Sequence, residues 1–145
     1  MLKVFIDGTV MPVNPGGVGT VGVVVYRDNT LILRMGKIIG KGPTMSNNRA
    51  EYEALKAVLQ WLLDNDLSEE NISVKSDSNL LVNQMQGKWK VKGGLFVSAY
   101  NESKQLTQRF PNLSFKWIKR EDNEEADLLA RNAYEECEKS DTDQH

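Results

Sequence analysis

The order of hydrophobic patterns along the chain limits the fold more than any other feature of the sequence. Three segments that alternate or are rich in valine predict strands, at residues 2–7, 18–26 and 31–39. Beyond residue 46 the apolar residues take a helical period. The predicted helices span about residues 46–64, 78–85, 96–109 and 123–138, with short strands at 72–77 and 113–118. A strand hairpin followed by helix–strand alternation predicts an α/β fold, in which a mixed sheet carries helices on its faces.

Length and cysteine content narrow the class of protein. A chain of 145 residues suits one domain of ordinary size. No apolar run approaches the roughly 20 residues that cross a bilayer, and the first residues lack a secretory pattern. The single cysteine, Cys137, cannot form an internal disulfide, so we expect a cytoplasmic protein with no membrane partner. A zinc site of the Cys/His type is not expected, because the only histidine is His145.

The net charge of −2 hides an uneven distribution of charge. Residues 135–145 hold five acidic residues and one lysine, and without them the chain has 17 basic and 15 acidic residues. We therefore predict a folded domain at residues 1–138 and a disordered acidic tail at residues 139–145. The folded domain is basic enough overall to be compatible with a nucleic-acid partner.

Four acidic residues occupy positions that suit a metal site. Asp7 and Asp77 each end a predicted strand, and parallel neighbours would place both carboxylates at one sheet edge. Glu51 lies on the apolar stripe of the first helix, where an unpaired charge is costly, and Asp127 lies beside the stripe of the last helix. Clustered oxygen ligands favour Mg²⁺ or Mn²⁺. The alternative is that these acids are ordinary turn, cap and surface residues.

Four sequence blocks carry a resemblance to a known family. They are FIDGT at 5–9 with NPGG at 14–17, SNNRAEYEAL at 46–55, SDSN at 76–79 and REDNEEADLLA at 120–130. In this order the blocks resemble the type 1 ribonucleases H, and the resemblance extends over almost the whole chain to Glu138. It implies a ribonuclease H-like fold with a five-stranded mixed sheet, whose first three strands are antiparallel and whose two faces carry helices. It also makes residues 1–138 a catalytic domain.

The same resemblance implies an activity. Members of the family hydrolyse the RNA strand of RNA–DNA hybrids with two Mg²⁺ ions, or Mn²⁺ in their place, and leave 5′-phosphate and 3′-hydroxyl ends. The family's catalytic and metal-binding acids fall on Asp7, Glu51, Asp77 and Asp127. One alternative is a non-catalytic hybrid-binding module of the same fold, which would have lost an acid. A related 3′–5′ exonuclease would carry Asp-x-Glu on the first strand, where this chain has Thr9, and a protein–protein adaptor would need no acids on a core face.

The resemblance further implies substrate contacts. The family's Asn-Asn pair before the helical glutamate touches ribose 2′-hydroxyls, which an amide can both donate to and accept from. The residues matched to substrate contacts are Asn14, Ser46, Asn47, Asn48 and Asn79. Capping or turn roles remain alternatives for Ser46, Asn47, Asn14 and Asn79. We expect a monomer whose partner is the hybrid, with duplex RNA as a further substrate left open.

Two departures from the family pattern affect function. Many members carry a histidine before the last helix that aids product release. This chain has none there, so either Glu121 takes over the role or the step is slower. The long basic insertion of some members is replaced by a short loop at 87–94. Its Lys88, Trp89 and Lys90 offer phosphate charge and a stacking surface, although the tryptophan could instead anchor the loop beside solvated lysines.

Overall fold

The structure is a computed structural model that describes residues 1–143, with side chains described through Lys139. Its strands are β1 (Leu2–Met11), β2 (Gly16–Arg27), β3 (Thr30–Gly42), β4 (Ile72–Ser76) and β5 (Leu113–Trp117). Its helices are α1 (Asn47–Asp64), α2 (Asn79–Met85), α3 (Val97–Thr107) and α4 (Glu124–Asp143), and a 3₁₀ turn (Arg120–Asn123) leads into α4. In the part of the chain that the structure describes, none of the helices is long and apolar enough to span a membrane.

The five strands form one mixed sheet in the order β3-β2-β1-β4-β5. The first three strands pair antiparallel as a meander, whereas β4 runs parallel to β1 and β5 runs parallel to β4. The sequence prediction of an α/β fold with a five-stranded mixed sheet is confirmed, including the antiparallel start. The central position of β1 gives it one antiparallel and one parallel neighbour.

The sheet separates two helical layers. Gly8 pairs with Val21 in the β1–β2 register and approaches Ala50 of α1, whereas the next residue of β2, Gly22, approaches Ala126 of α4. Because successive strand residues point to opposite faces, α1 and α4 lie on opposite sides of the sheet. The main core lies on the α1 side, where α1 and α3 also pack on each other. Its fully buried members include Val4, Ile6, Val23, Leu55, Leu59 and Val74.

Two elements extend beyond their predicted ends. Strand β1 continues to Met11 instead of ending at Asp7, because β2 still pairs with it after β4 has ended. Helix α4 continues to Asp143, so the backbone of residues 139–143 is helical where the acidic composition predicted disorder. No glycine or proline interrupts the segment 124–143, which allows the helix to continue. Residues 144–145 lie outside the described residues, and the functional boundary at residue 138 stays a prediction.

Candidate metal centre

The register of β1 and β4 places two acids side by side. Ile6 pairs with Ser76, the last residue of β4, so the next residues, Asp7 and Asp77, lie together where the parallel pairing stops. Asp77 thus follows its strand as predicted. Asp7 does not end β1, which runs on beside β2. Asp7 instead lies at the site because the neighbouring strand β4 ends beside it. The sequence around Asp7 does not reveal this long-range feature.

Close packing of α1 on β1 brings in the third acid. A Cβ atom on Gly8 would overlap the backbone of Ala50 and Glu51, so only glycine lets the helix approach this closely. The Gly8 backbone amide donates a hydrogen bond to the Glu51 carboxylate. The side chain of Glu51 is buried, as its place on the apolar stripe predicted. Carboxylate oxygens of Asp7, Glu51 and Asp77 lie within 4.8 Å of one another.

The fourth acid lies at the border of this cluster. Asp127 stands on the first turn of α4 and acts on Asp7 through a side-chain hydrogen bond and through its charge. It does not belong to the 4.8 Å set among the described residues. Its carboxylate also forms an ion pair with Arg131, one helical turn on, at 3.2 Å. The structure therefore brings three of the predicted acids together and places Asp127 between Asp7 and the guanidinium group of Arg131.

Burial and crowding disturb the ionisation of the cluster. Burial, followed by the charge of Asp77 and the neighbouring Asp127, raises the pKa of Asp7 from 3.8 to about 8. Burial and then the charge of Asp7 raise the pKa of Glu51 well above its ordinary value. The pKa of Asp77 is also raised by burial, although Asn123 and Arg120 act in the opposite direction. Without a cation these acids cannot all be ionised near neutral pH.

The residues present fit a divalent ion that prefers oxygen ligands. The Oε2 atom of Glu51 is buried and has no hydrogen-bond partner among the described residues, an unusual state for a carboxylate. Three carboxylates within 4.8 Å would repel one another unless a cation lay among them. An all-carboxylate donor set is typical of Mg²⁺ and Mn²⁺.

Asn123 belongs to the site although sequence reasoning did not single it out. It ends the 3₁₀ turn before α4, is 1% exposed, and donates from Nδ2 to the carbonyl of Ile6 at 2.8 Å and to Asp77 at 3.4 Å. These bonds tie the start of α4 to the β1–β4 edge and orient the Asp77 carboxylate. Its only sequence signal was an asparagine just before a helix, which is equally typical of a cap.

The residues predicted to contact substrate at the start of α1 are held by the protein. Ser46 is the N-cap and accepts from the amide of Arg49 at 3.2 Å, so capping falls to Ser46 and not to Asn47. Asn47 accepts from the amide of Val10 at 3.0 Å, and Asn14 accepts from the amide of Asn47 at 3.0 Å. Within residues 1–139, the Nδ2 groups of Asn14 and Asn47 have no protein acceptor, so they can donate to a ligand.

The remaining predicted contact residues are exposed. Asn48 lies in the first turn of α1, and Asn79 begins α2 and accepts from Asn83 at 2.8 Å. Lys88, Trp89 and Lys90 are exposed in the loop after α2, and the indole of Trp89 is 47% exposed. A half-exposed ring surface is compatible with stacking. Glu121 is also exposed, within the 3₁₀ turn, and its product-release role stays a prediction.

Trp117 supports the site from the edge of the sheet. It is 46% exposed, because β5 is an edge strand and Trp117 is its last residue. Its indole N–H donates to the backbone carbonyl of Asp77 at 3.2 Å. Trp117 therefore supports the loop that carries one of the acids.

A large cavity lies away from this cluster. A groove of about 770 Å³ opens between β3, α1 and α3, with Met35, Trp61 and Leu106 among its lining residues. None of the four acids lines it. The carboxylates instead lie where the pairing of β1 with β4 ends.

Comparison with known proteins agrees with this architecture. A family described as reverse transcriptase-like matches residues 6–133. The bifunctional protein Rv2228c of Mycobacterium tuberculosis is 36% identical over 121 residues, which are 83% of this chain and 32% of that protein. Ribonuclease HI of Halobacterium salinarum is 30% identical over 124 residues, 86% of this chain and 60% of that protein. The chain thus spans about a third of the length of its mycobacterial relatives.

A solved structure gives a closer match in length. LC11-RNase H1, crystallised in complex with an RNA/DNA hybrid, superposes with a TM-score of 0.84 at 32% identity and covers 94% of this chain and 99% of that one. The strand order of the sheet and the cluster of Asp7, Glu51 and Asp77 together define a protein with the ribonuclease H-like fold. Within that class, the chain belongs to the type 1 ribonuclease H family.

Proposed function

We propose that this chain is an endoribonuclease that hydrolyses the RNA strand of RNA–DNA hybrids and leaves 5′-phosphate and 3′-hydroxyl ends. The observation that carries the proposal is the approach of Asp7, Glu51 and Asp77 to within 4.8 Å where the pairing of β1 with β4 ends. In a member of the ribonuclease H family, this arrangement suits phosphodiester hydrolysis. The hybrid bound to LC11-RNase H1 supports the choice of substrate.

The four acids would hold two Mg²⁺ ions, or Mn²⁺ in their place. When bound, such ions lower the pKa of a water molecule and stabilise the leaving oxygen of a phosphodiester. Asp7 is central because it interacts with Glu51, Asp77 and Asp127. The protein itself orients the ligands: the Gly8 amide holds Glu51, and Asn123 holds Asp77.

Substrate selection would come from the backbone of the nucleic acid. The Nδ2 donors of Asn14 and Asn47, with the exposed amide of Asn48, lie near the first turn of the helix that carries Glu51. Amides there could bind ribose 2′-hydroxyls, which distinguish RNA from DNA. Ser46, Asn79 and the loop residues Lys88, Trp89 and Lys90 complete the proposed contact set, and Glu121 would take the product-release role. Contacts of this kind predict little dependence on base sequence.

A panel of substrates tests the proposed activity. Labelled RNA–DNA hybrid, duplex RNA and duplex DNA would be incubated with the protein and either Mg²⁺ or Mn²⁺. We expect the hybrid to be cut on its RNA strand only, at internal positions, and duplex DNA to stay intact. A protein that binds the hybrid but cuts nothing with either metal would be the non-catalytic module. Cleavage only from an end would indicate an exonuclease.

The short loop after α2 provides a separate test of binding. Changing Lys88, Lys90 and Lys92 to alanine should weaken hybrid binding and lower the slope of log K against log salt by about two to three, since each phosphate contact contributes roughly 0.9. Fluorescence anisotropy at several salt concentrations measures the slope. Alanine at Lys104, Arg109 and Lys139 removes the same charge from exposed positions outside the strands and loops that carry the acids. An unchanged slope in the loop variant would exclude the phosphate contact.

A further inference from the structure

One half of a sheet face has no covering helix. Helix α4 packs on β1, β2 and β3. On the same face, β4 and β5 present the partly exposed Lys75 and the exposed Lys116, and no other helix among residues 1–143 packs over them to a comparable extent. This uncovered strip adjoins the edge that carries the acids.

Three lysines share this strip. Lys75 pairs with Phe5 of β1 and with Lys116 of β5, so these side chains point to the same face. Lys3 lies two residues before Phe5 on β1 and therefore points the same way. The ammonium group of Lys75 lies 5.6 Å from the centre of the Phe5 ring, which holds this side chain over the strip.

The lysines of the strip lack salt-bridge partners among the described residues. Among residues 1–139, none of the three lysines has a carboxylate within 4.0 Å. Acids border the strip at the start of α4, where Glu125 accepts from the hydroxyl of Tyr26 at 2.6 Å. A small cavity there is lined by Phe5 together with Glu121, Asp122, Glu124 and Glu125. Positive charge is therefore concentrated along β4 and β5.

The strip is continuous with the metal centre. Lys75 lies two residues before Asp77 on the same segment, and beyond β5 the chain reaches Arg120, whose charge lowers the pKa of Asp77. Lys3 lies four residues before Asp7 on the same strand, which is about 13 Å at 3.3 Å per residue. That length corresponds to about four base pairs of a duplex lying along the strip, since each base pair rises ~3.4 Å.

We propose that Lys3, Lys75 and Lys116 bind the sugar–phosphate backbone of the hybrid beyond the catalytic edge. The proposal rests on the proposed function, because it places a hybrid across the carboxylates. The charge complementarity of an unpaired lysine row with a phosphate backbone favours this occupant. Lysine supplies charge and donors without a shape that reads bases, so the contact is independent of sequence.

Binding of a long hybrid tests the contact. Binding would be measured by anisotropy in EDTA with a hybrid of about 20 base pairs, which is longer than the roughly four base pairs between Asp7 and Lys3. In the Lys3→Gln, Lys75→Gln, Lys116→Gln variant, affinity should fall about tenfold or more at 0.1 M salt. The slope of log K against log salt should fall by about two to three. The Lys104→Gln, Arg109→Gln, Lys139→Gln variant carries the same change in charge at exposed positions and should bind the hybrid as the wild type does.

Two results would overturn the proposal. Binding of the lysine variant like that of the control variant would exclude a contact. If the lysine variant bound the hybrid normally but lost retention on polyglutamate, the partner would be an acidic protein. Lys116→Gln alone, at an exposed position, should give part of the loss of affinity with an unchanged melting temperature. Because binding is measured without metal, a loss of affinity in a protein that cuts nothing would reject the nuclease function and keep the contact.

Discussion

Asp7→Asn is expected to abolish hybrid cleavage while leaving hybrid binding measurable. Asp7 interacts with each of the other three acids, and a neutral amide at its position cannot hold a divalent ion shared with them. We expect a rate loss of roughly a thousandfold or more, equivalent to about 4 kcal/mol of transition-state stabilisation. Single-turnover cleavage of labelled hybrid in Mg²⁺ measures the loss, and anisotropy measures the binding.

A matched variant separates this effect from a general loss of charge. Asp66→Asn removes the same charge at an exposed turn residue whose φ of 58° is well tolerated by asparagine. Its cleavage rate should equal that of the wild type. Substantial turnover by Asp7→Asn would show that Asp7 is not a ligand that the reaction needs.

Asp7→Asn should also be more stable than the wild type when metal is absent. Because the folded-state pKa of Asp7 is raised from 3.8 to about 8, its stabilising contribution is complete below pH 3.8 and is lost as the pH rises through about 8. Asparagine removes this loss, so in EDTA the melting temperature should exceed that of the wild type by roughly 5 °C at pH 8 and by less at pH 5. Mn²⁺ should raise the melting temperature of the wild type more than that of the variant. A variant less stable than the wild type at pH 8 would contradict the crowding of negative charge.

Gly8→Ala is expected to destabilise the fold and to displace Glu51. The added methyl group would overlap backbone atoms of Ala50 and Glu51, which cannot move as a flexible side chain can. Overpacking of this kind should lower the free energy of unfolding by roughly 3 kcal/mol or more, measured by urea denaturation. Cleavage by the remaining folded protein should also fall, since α1 carries Glu51.

Gly93→Ala supplies the comparison for this prediction. Nothing lies within 4 Å of a Cβ atom at Gly93, and its φ is +118°, so alanine there adds backbone strain without a clash. We expect a smaller loss of stability and little change in cleavage for this variant. Equal losses at the two positions would mean that close approach of α1 is not what requires glycine at position 8.

The sequence supported the parts of the site that depend on local periodicity. Glu51 could be predicted because a carboxylate on an apolar helical stripe needs a partner, and Asp77 because it directly follows a strand. The family resemblance added the remaining acid roles and the strand pairing. What the sequence could not supply were features that arise between distant segments: the register that sets Asp7, the bond from Asn123 to Asp77, and the exposure of Trp117. The ion pair of Asp127 with Arg131 has a local i, i+4 spacing, but only the structure shows that the same carboxylate also interacts with Asp7.

The central place of β1 also has a consequence for biosynthesis. Its acid is the first of the four to leave the ribosome, whereas Asp127 and the tether from Asn123 to Ile6 arrive with the last helix. A chain synthesised only as far as β5 therefore lacks both Asp127 and Asn123. During translation, the set of four acids is therefore complete only after nearly the entire domain has been synthesised.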